Sequence, residues 1–176
     1  MLWYIYCLLG QVSILTIARS TVLESRHGGV SFAPSSLWVK QVIAGGEGLH
    51  VEFKEAEKAH KELESIIETI LAFANASGGT IFIGVTDKGV IKGVLEEHRR
   101  YIEAVENLMG YKCVPRPNVQ YSTVEVDGRK ILVLTVQPGP AKPYHHVERG
   151  VFIRRDGTNL QAQREENKEM FRASIS

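Results

Sequence analysis

Glu47-Gly48-Leu49-His50-Val51-Glu52-Phe53-Lys54 opens the stretch that decides the fold, and Thr80-Ile81-Phe82-Ile83-Gly84-Val85-Thr86-Asp87 closes it. Residues Val51 to Lys54 alternate apolar and polar, which predicts a short strand. On it Val51 and Phe53 point one way, and Glu52 and Lys54 the other. Between the two ends, Leu63, Ile66, Ile67, Ile70, Leu71 and Ala74 recur at helical spacing with one buried face. Asn75-Ala76-Ser77-Gly78-Gly79 stops that helix, because paired glycines allow a tight exit. Thr80 to Val85 is rich in β-branched and aromatic residues and reads as a buried strand. Asp87-Lys88-Gly89 then turns the chain into Val90 and Ile91.

Upstream, residues 1 to 18 carry no charged side chain and are mostly apolar. A membrane-spanning helix needs about 17 to 25 predominantly apolar residues, so this segment is at the lower edge. Gly10, Gln11, Ser13 and Thr16 weaken it further, and the basic start of a signal peptide is missing. Three readings stay open here: an added packing element or non-native leader, a membrane anchor, and a signal. Any membrane contact would run through these residues. Arg19 to Ser36, with Gly28-Gly29 and Pro34, reads as a linker. The expected division is therefore 1–35 and a domain over 36–176.

On either side of the opening stretch, the apolar positions predict six more elements, three helices and three strands. Ser35 or Ser36 caps a short helix through Leu37, Trp38, Val39, Val42 and Ile43, which Gly45-Gly46 ends. Glu96 to Met109 is a second long helix, and Pro115 and Pro117 prevent its continuation. Val119 to Val126 and Lys130 to Gln137 are strands joined by an Asp127-Gly128 turn. Ile131 to Val136 is nearly all apolar, as a central strand should be. Pro138 to Pro143 is a rigid loop, Val151 to Arg155 a strand turned by Asp156-Gly157, and Gln161 to Ala173 a closing helix. The fold class is α+β, a mixed, mostly antiparallel sheet with helices packed on it.

Bulk composition narrows function less than it narrows class. A chain of 176 residues can bury a core without a disulfide or metal staple. Its net charge of +1 supplies no basic field over the whole protein, so nucleic-acid binding would depend on local patches. Cys7 and Cys113 are far apart and form no metal-ligand pair, which fits a reduced, cytoplasmic location. Neither Gly45-Gly46 nor Gly78-Gly79 precedes the Lys-Ser/Thr of a phosphate-binding loop, so no nucleotide cofactor is expected.

Two groups of residues carry possible chemistry. Glu47, Glu52 and Asp87 lie at neighbouring ends of the first two strands. Carboxylates brought together repel unless a cation neutralises them, and Mg²⁺ or Mn²⁺ is the matching hard ion. Such an ion stabilises charge on a phosphoryl oxygen and activates water, and Lys54 can hold the phosphate. The plainer alternative is that Glu47 and Asp87 are turn acids and Glu52 a surface residue paired with Lys54. The second group is Lys142, Tyr144, His145, His146, Arg149, Arg154 and Arg155. Arginine forks fit phosphate, and Tyr144 and the histidines can stack on unpaired bases. Arg154 and Arg155 are strand neighbours, so they face opposite ways and only one can line a groove. The plainer alternative is that one pairs with an acid and the other is solvated.

The ordered set Glu-x4-Glu-Phe-Lys, helix, Ala72-Phe73-Ala74-Asn75 with Gly78-Gly79, Ile83-Gly84-Val85-Thr86-Asp87, Lys142-Pro143-Tyr144 and Phe152-Ile153-Arg154-Arg155-Asp156-Gly157 resembles the Schlafen AlbA-2 family. The likeness runs over residues 36 to 172. It implies a three-carboxylate site at Glu47, Glu52 and Asp87 for metal-dependent RNA cleavage, and structured RNA such as tRNA as substrate. It implies a nucleic-acid-facing groove around Lys142, Tyr144, His146, Arg149, Arg154 and Arg155. The resemblance equally admits a non-catalytic DNA- or RNA-binding module acting as a regulator or adaptor. Schlafen nuclease cores have two lobes and this chain has one, so a homodimer is implied. The Cys/His zinc site of vertebrate Schlafens has no counterpart here.

Overall fold

A computed structural model describes residues 22–23, 31–32, 34–94 and 98–175. Two units emerge, Met1–Ser35 and Ser36–Ser176. In the first, β1 (Val22–Leu23) pairs antiparallel with β2 (Ser31–Phe32). Two-residue strands carry no periodicity, so the sequence reading of this stretch as a plain linker misses them. Residues 1 to 18 lie outside the described residues. Among the described residues no helix is long and apolar enough to cross a membrane.

The second unit begins with α1 (Ser36–Gly45), and Gly46, at φ 78°, turns the chain out of it toward β3 (Val51–Lys54). Then come α2 (Ala56–Lys61), α3 (Leu63–Asn75) and β4 (Gly79–Ile83). The C-terminal half supplies α4 (His98–Lys112), β5 (Cys113–Val114), β6 (Val119–Val126) and β7 (Arg129–Val136). It ends with β8 (His145–His146), β9 (Gly150–Arg155), β10 (Thr158–Gln161) and α5 (Arg164–Ile175). The main sheet has the order β3-β4-β7-β6. Only β3 and β4 run parallel, because α2 and α3 form the crossover between them.

Side-chain alternation divides the core across this sheet. Ile81, Ile83, Leu132 and Leu134 face α3 and α4, and meet Ile66, Ile70, Tyr101 and Val105. Phe53, Phe82, Ile131 and Val133 face the other way, onto Val39 and Ile43 of α1. Both faces being covered explains why β4 and β7 read as almost continuous apolar runs. The expected α+β class holds, and β7 is central as its composition requires.

A second sheet, ordered β10-β9-β8-β5, corrects the expectation of a single one. Its strands β5, at one edge, and β8, next to it, have two residues each and pair across a separation no local pattern encodes. One residue ties it to the rest. Asn75, the last residue of α3, donates from Nδ2 to Tyr144 O (2.8 Å) and Phe152 O (2.9 Å). Its Oδ1 accepts the Tyr144 N–H at 2.7 Å. The Ala-Phe-Ala-Asn motif is therefore a joint between helix, proline-bearing loop and second sheet. The glycines after it are forced by space: a Cβ on Gly79 would fall 2.7 Å from the Phe73 ring.

Candidate nucleic-acid interface

Glu52 leaves β3 on the face opposite Phe53, as alternation requires, yet it is buried rather than exposed. The second sheet covers it. Arg154, on β9, brings NH2 to 2.6 Å from Glu52 Oε2, and Lys54 Nζ stands 3.2 Å from Oε1. The Arg154 side chain is 1% exposed and fully engaged. Its guanidinium donates to Gly48 O at 3.2 and 3.1 Å, Val51 O at 3.2 Å and Asn159 Oδ1 at 2.8 Å. It also lies over the Phe73 ring, 5.1 Å from the centroid. Asn159 in turn donates to Thr69 Oγ1 on α3 at 2.7 Å. Arg154 thus locks the turn before β3 to β9, β10 and α3.

Glu47 closes the open side of β3 by accepting the Phe53 N–H at 2.7 Å. Burial pushes its carboxyl above the ordinary carboxylate range, and Glu52 and Asp87 add repulsion. The Phe53 N–H and Lys54 pull the other way. A carboxyl raised in the folded state stabilises the fold below its unfolded value of 4.5 and loses that contribution as pH rises through its folded value. Glu47→Gln keeps the acceptor for Phe53 and removes the charge. Its melting temperature relative to wild type is expected to rise slightly between pH 4.5 and neutrality. Thermal melts across that window check this, and an offset that does not change with pH would contradict it.

Asp87 sits in the turn where the Gly89 N–H donates to Thr86 O at 2.8 Å. Its nearest cation is Lys58, at 3.8 Å. Lys58 also reaches Glu55 (3.3 Å), and Lys92 reaches the other oxygen of Glu55 (3.1 Å). Glu47, Glu52 and Asp87 are near enough to repel at Glu47, but they do not converge. Glu52 already has two cationic neighbours, which leaves it no uncompensated charge for a metal. Among the described residues, no three His, Cys, Asp or Glu side chains form a group that could hold an ion. In this arrangement Glu52 is committed to Arg154 and Lys54.

The second group of candidates is mostly interior. Arg154 is enclosed, Tyr144 is 5% exposed, and the His146 ring is fully buried. His146 Nδ1 accepts the N–H groups of Glu148 (3.2 Å) and Arg149 (3.1 Å), so Nε2 carries the proton and donates to Glu64 at 3.0 Å. These three residues organise the β8–β9 region, where base stacking is sterically closed to Tyr144 and His146. Lys142 is half-buried, and its ammonium caps α3 by donating to Ala76 O at 2.5 Å. Burial pulls that ammonium below the ordinary lysine range. Arg149 pairs with Glu68, and Arg155 with Glu166 on α5. Arg155 is exposed, and Arg149 nearly half so. The opposite facing of Arg154 and Arg155 is as strand geometry demands.

Sequence reading passed over Lys58 and Lys92. Both reach Glu55, the residue that follows Lys54 at the carboxyl end of β3. Lys58 lies four residues after Lys54, a spacing visible in the sequence. Lys92 follows the 86–89 turn, which alone brings it to Glu55. Cys113 is buried, and its thiol is pushed up to about 12, so it is no nucleophile.

A family model described as Schlafen, AlbA_2 matches residues 47–163. The DIP2311 protein from Corynebacterium diphtheriae is similar in fold, with 20% identity and a TM-score of 0.54. The match covers 72% of this chain and 27% of that one, so this chain spans about a quarter of its length. The second is the N-terminal domain of a protein from Nitrosomonas europaea described as related to the ATP-dependent DNA helicase RecG. It shares 22% identity and a TM-score of 0.54, with 74% of this chain and 93% of that domain covered.

Proposed function

The chain belongs to the Schlafen AlbA_2 family, and from that premise we propose that it is a nucleic-acid-binding module. The observation that carries the reading is the convergence of Lys58 and Lys92 on Glu55, next to Lys54 at the carboxyl end of β3. The carboxyl ends of parallel strands are where open α/β sheets take ligands. Each of these lysines is held by an acid that a phosphate can replace. Structured RNA such as tRNA is the partner class we favour, with DNA as the other. Arg149, Arg155 and Lys142 supply additional positive charge on the second-sheet side.

Fluorescence anisotropy with labelled tRNA, at graded salt, tests the reading. Affinity is expected to fall steeply with salt because phosphate contacts release counterions. In a Lys58→Ala/Lys92→Ala variant the slope should flatten by about 0.7–0.9 per lysine removed. An unchanged slope would move the contact elsewhere, and no binding at all would leave a scaffold.

A metal-dependent endoribonuclease is the second reading. It is favoured by Glu47, whose carboxyl, raised mainly by burial, also feels the charges of Glu52 and Asp87. It requires Glu52 to leave Arg154, and no such rearrangement is needed for binding.

A further inference from the structure

The two edges of the main sheet are finished differently. On β3, the Gly48 N–H and Arg154 occupy Val51 O, and Glu47 occupies the Phe53 N–H. That edge is closed. At the other edge lies β6, which is 8 residues long. The Gln137 N–H donates to Asn118 O at 3.1 Å, directly opposite it, and this fixes the phase of the β6–β7 ladder. Gln120, Ser122, Val124 and Val126 therefore turn their backbone groups to β7. Val119, Tyr121, Thr123 and Glu125 turn theirs outward. Among the described residues, none of these outward groups has a hydrogen-bond partner in the fold. Both faces of the strand are packed, Val124 and Val126 against the α1 side and Val119 and Tyr121 against the α4 side. Gln120 on the first face and Thr123 and Glu125 on the second remain exposed, and among the described residues the outer edge between them is unpaired.

We propose that this edge pairs with the β6 of a second copy, antiparallel about a two-fold axis at Ser122. In that register Val119 faces the partner's Glu125, and Tyr121 faces the partner's Thr123. Every outward-turned residue then meets an outward-turned residue, and each facing pair exchanges two backbone hydrogen bonds. No like charges oppose each other, and the aromatic–β-branched pair is a favourable cross-strand contact. Arg116 before the strand is held by Glu106 and Asp127 after it by Lys40, so Glu125 is the charge that the strand itself brings to the seam. The strand contains no Pro, Lys or Arg, the residues that commonly guard an open edge. A two-fold pairing consumes the edge and closes the assembly. The edge strands of the second sheet, β5 and β10, have only 2 and 4 residues. The inference stands apart from the nucleic-acid reading, since Lys54, Lys58 and Lys92 belong to the β3–β4 side of the sheet.

Light scattering on the full chain, without nucleic acid, tests it. Wild type is expected at twice the mass of one chain. Thr123→Pro removes an outward N–H that β7 does not use, and is expected to give a folded monomer by circular dichroism. Ser122→Cys, in a Cys7→Ser background, is expected to form a disulfide dimer under mild copper-phenanthroline oxidation. The facing Cα atoms at the axis would be about 4.5 Å apart, within disulfide reach. Glu57→Cys, exposed on α2, serves as the uncrosslinked control. A monomeric wild type would overturn the proposal. So would a dimer that survives Thr123→Pro, or one in which Ser122→Cys crosslinks no better than Glu57→Cys. Dimerisation through another surface, or strand addition by a different protein, would show itself in those last two results.

Discussion

Arg154→Met is expected to lower stability by about 3–5 kcal/mol, the range for removing one partner of a buried ion pair. The loss has three parts. Glu52 keeps only the partly exposed Lys54 as its cation. Gly48 O and Val51 O lose a donor, and Asn159 loses the group that orients it. The shape of the site changes little, because Met fills the same channel beside Phe73. Urea unfolding at constant m-value is the measurement. Combining Arg154→Met with Glu52→Gln should recover part of the loss, since the orphaned charge is then gone. A single-variant loss below about 1 kcal/mol, in the range of a surface ion pair, would mean that Arg154 is not buried as described.

Asn75→Ala is expected to cost at least about 3 kcal/mol, since each buried backbone group left unpaired costs about 1–3 kcal/mol. The groups are Tyr144 O, Phe152 O and the Tyr144 N–H. Asn75→Asp should do no better, because a carboxylate has no donor for the two carbonyls. The damage should be local as well as global. Amide exchange should quicken first in the Tyr144 loop and in β9, where Asn75 anchors them. Uniform acceleration across the main sheet, or a loss close to zero, would remove Asn75 from this role.

These two residues show where a sequence stops being readable. Val51 to Lys54 announces its strand, and the alternation places Phe53 and Glu52 on opposite faces correctly. The apolar spacing of Leu63 to Ala74 announces α3, and Ile131 to Val136 its central place, because local period and burial agree there. What alternation cannot say is what covers the polar face. Glu52 reads as a surface acid until β9, about a hundred residues later, lays Arg154 on it. Tyr144 and His146 look like surface groups for the same reason: β5 and β8 are too short to have a pattern. Lys58 was hidden differently. On its helix it is one lysine among several charges, and only the 86–89 turn shows that it shares Glu55 with Lys92. The motif Glu-x4-Glu-Phe-Lys is legible, but spacing alone does not tell a metal ligand from the partner of a buried arginine.

The commitment of Glu52 to Arg154 is what separates a binder of polyanions from an enzyme that cuts them. End-labelled tRNA incubated with Mn²⁺ and either wild type or Glu52→Gln, then run on native and denaturing gels, examines that point directly. On our proposal both proteins retard the RNA in the native gel and leave it intact in the denaturing one. Fragments that appear with wild type only when Mn²⁺ is present, and vanish with Glu52→Gln, would contradict it.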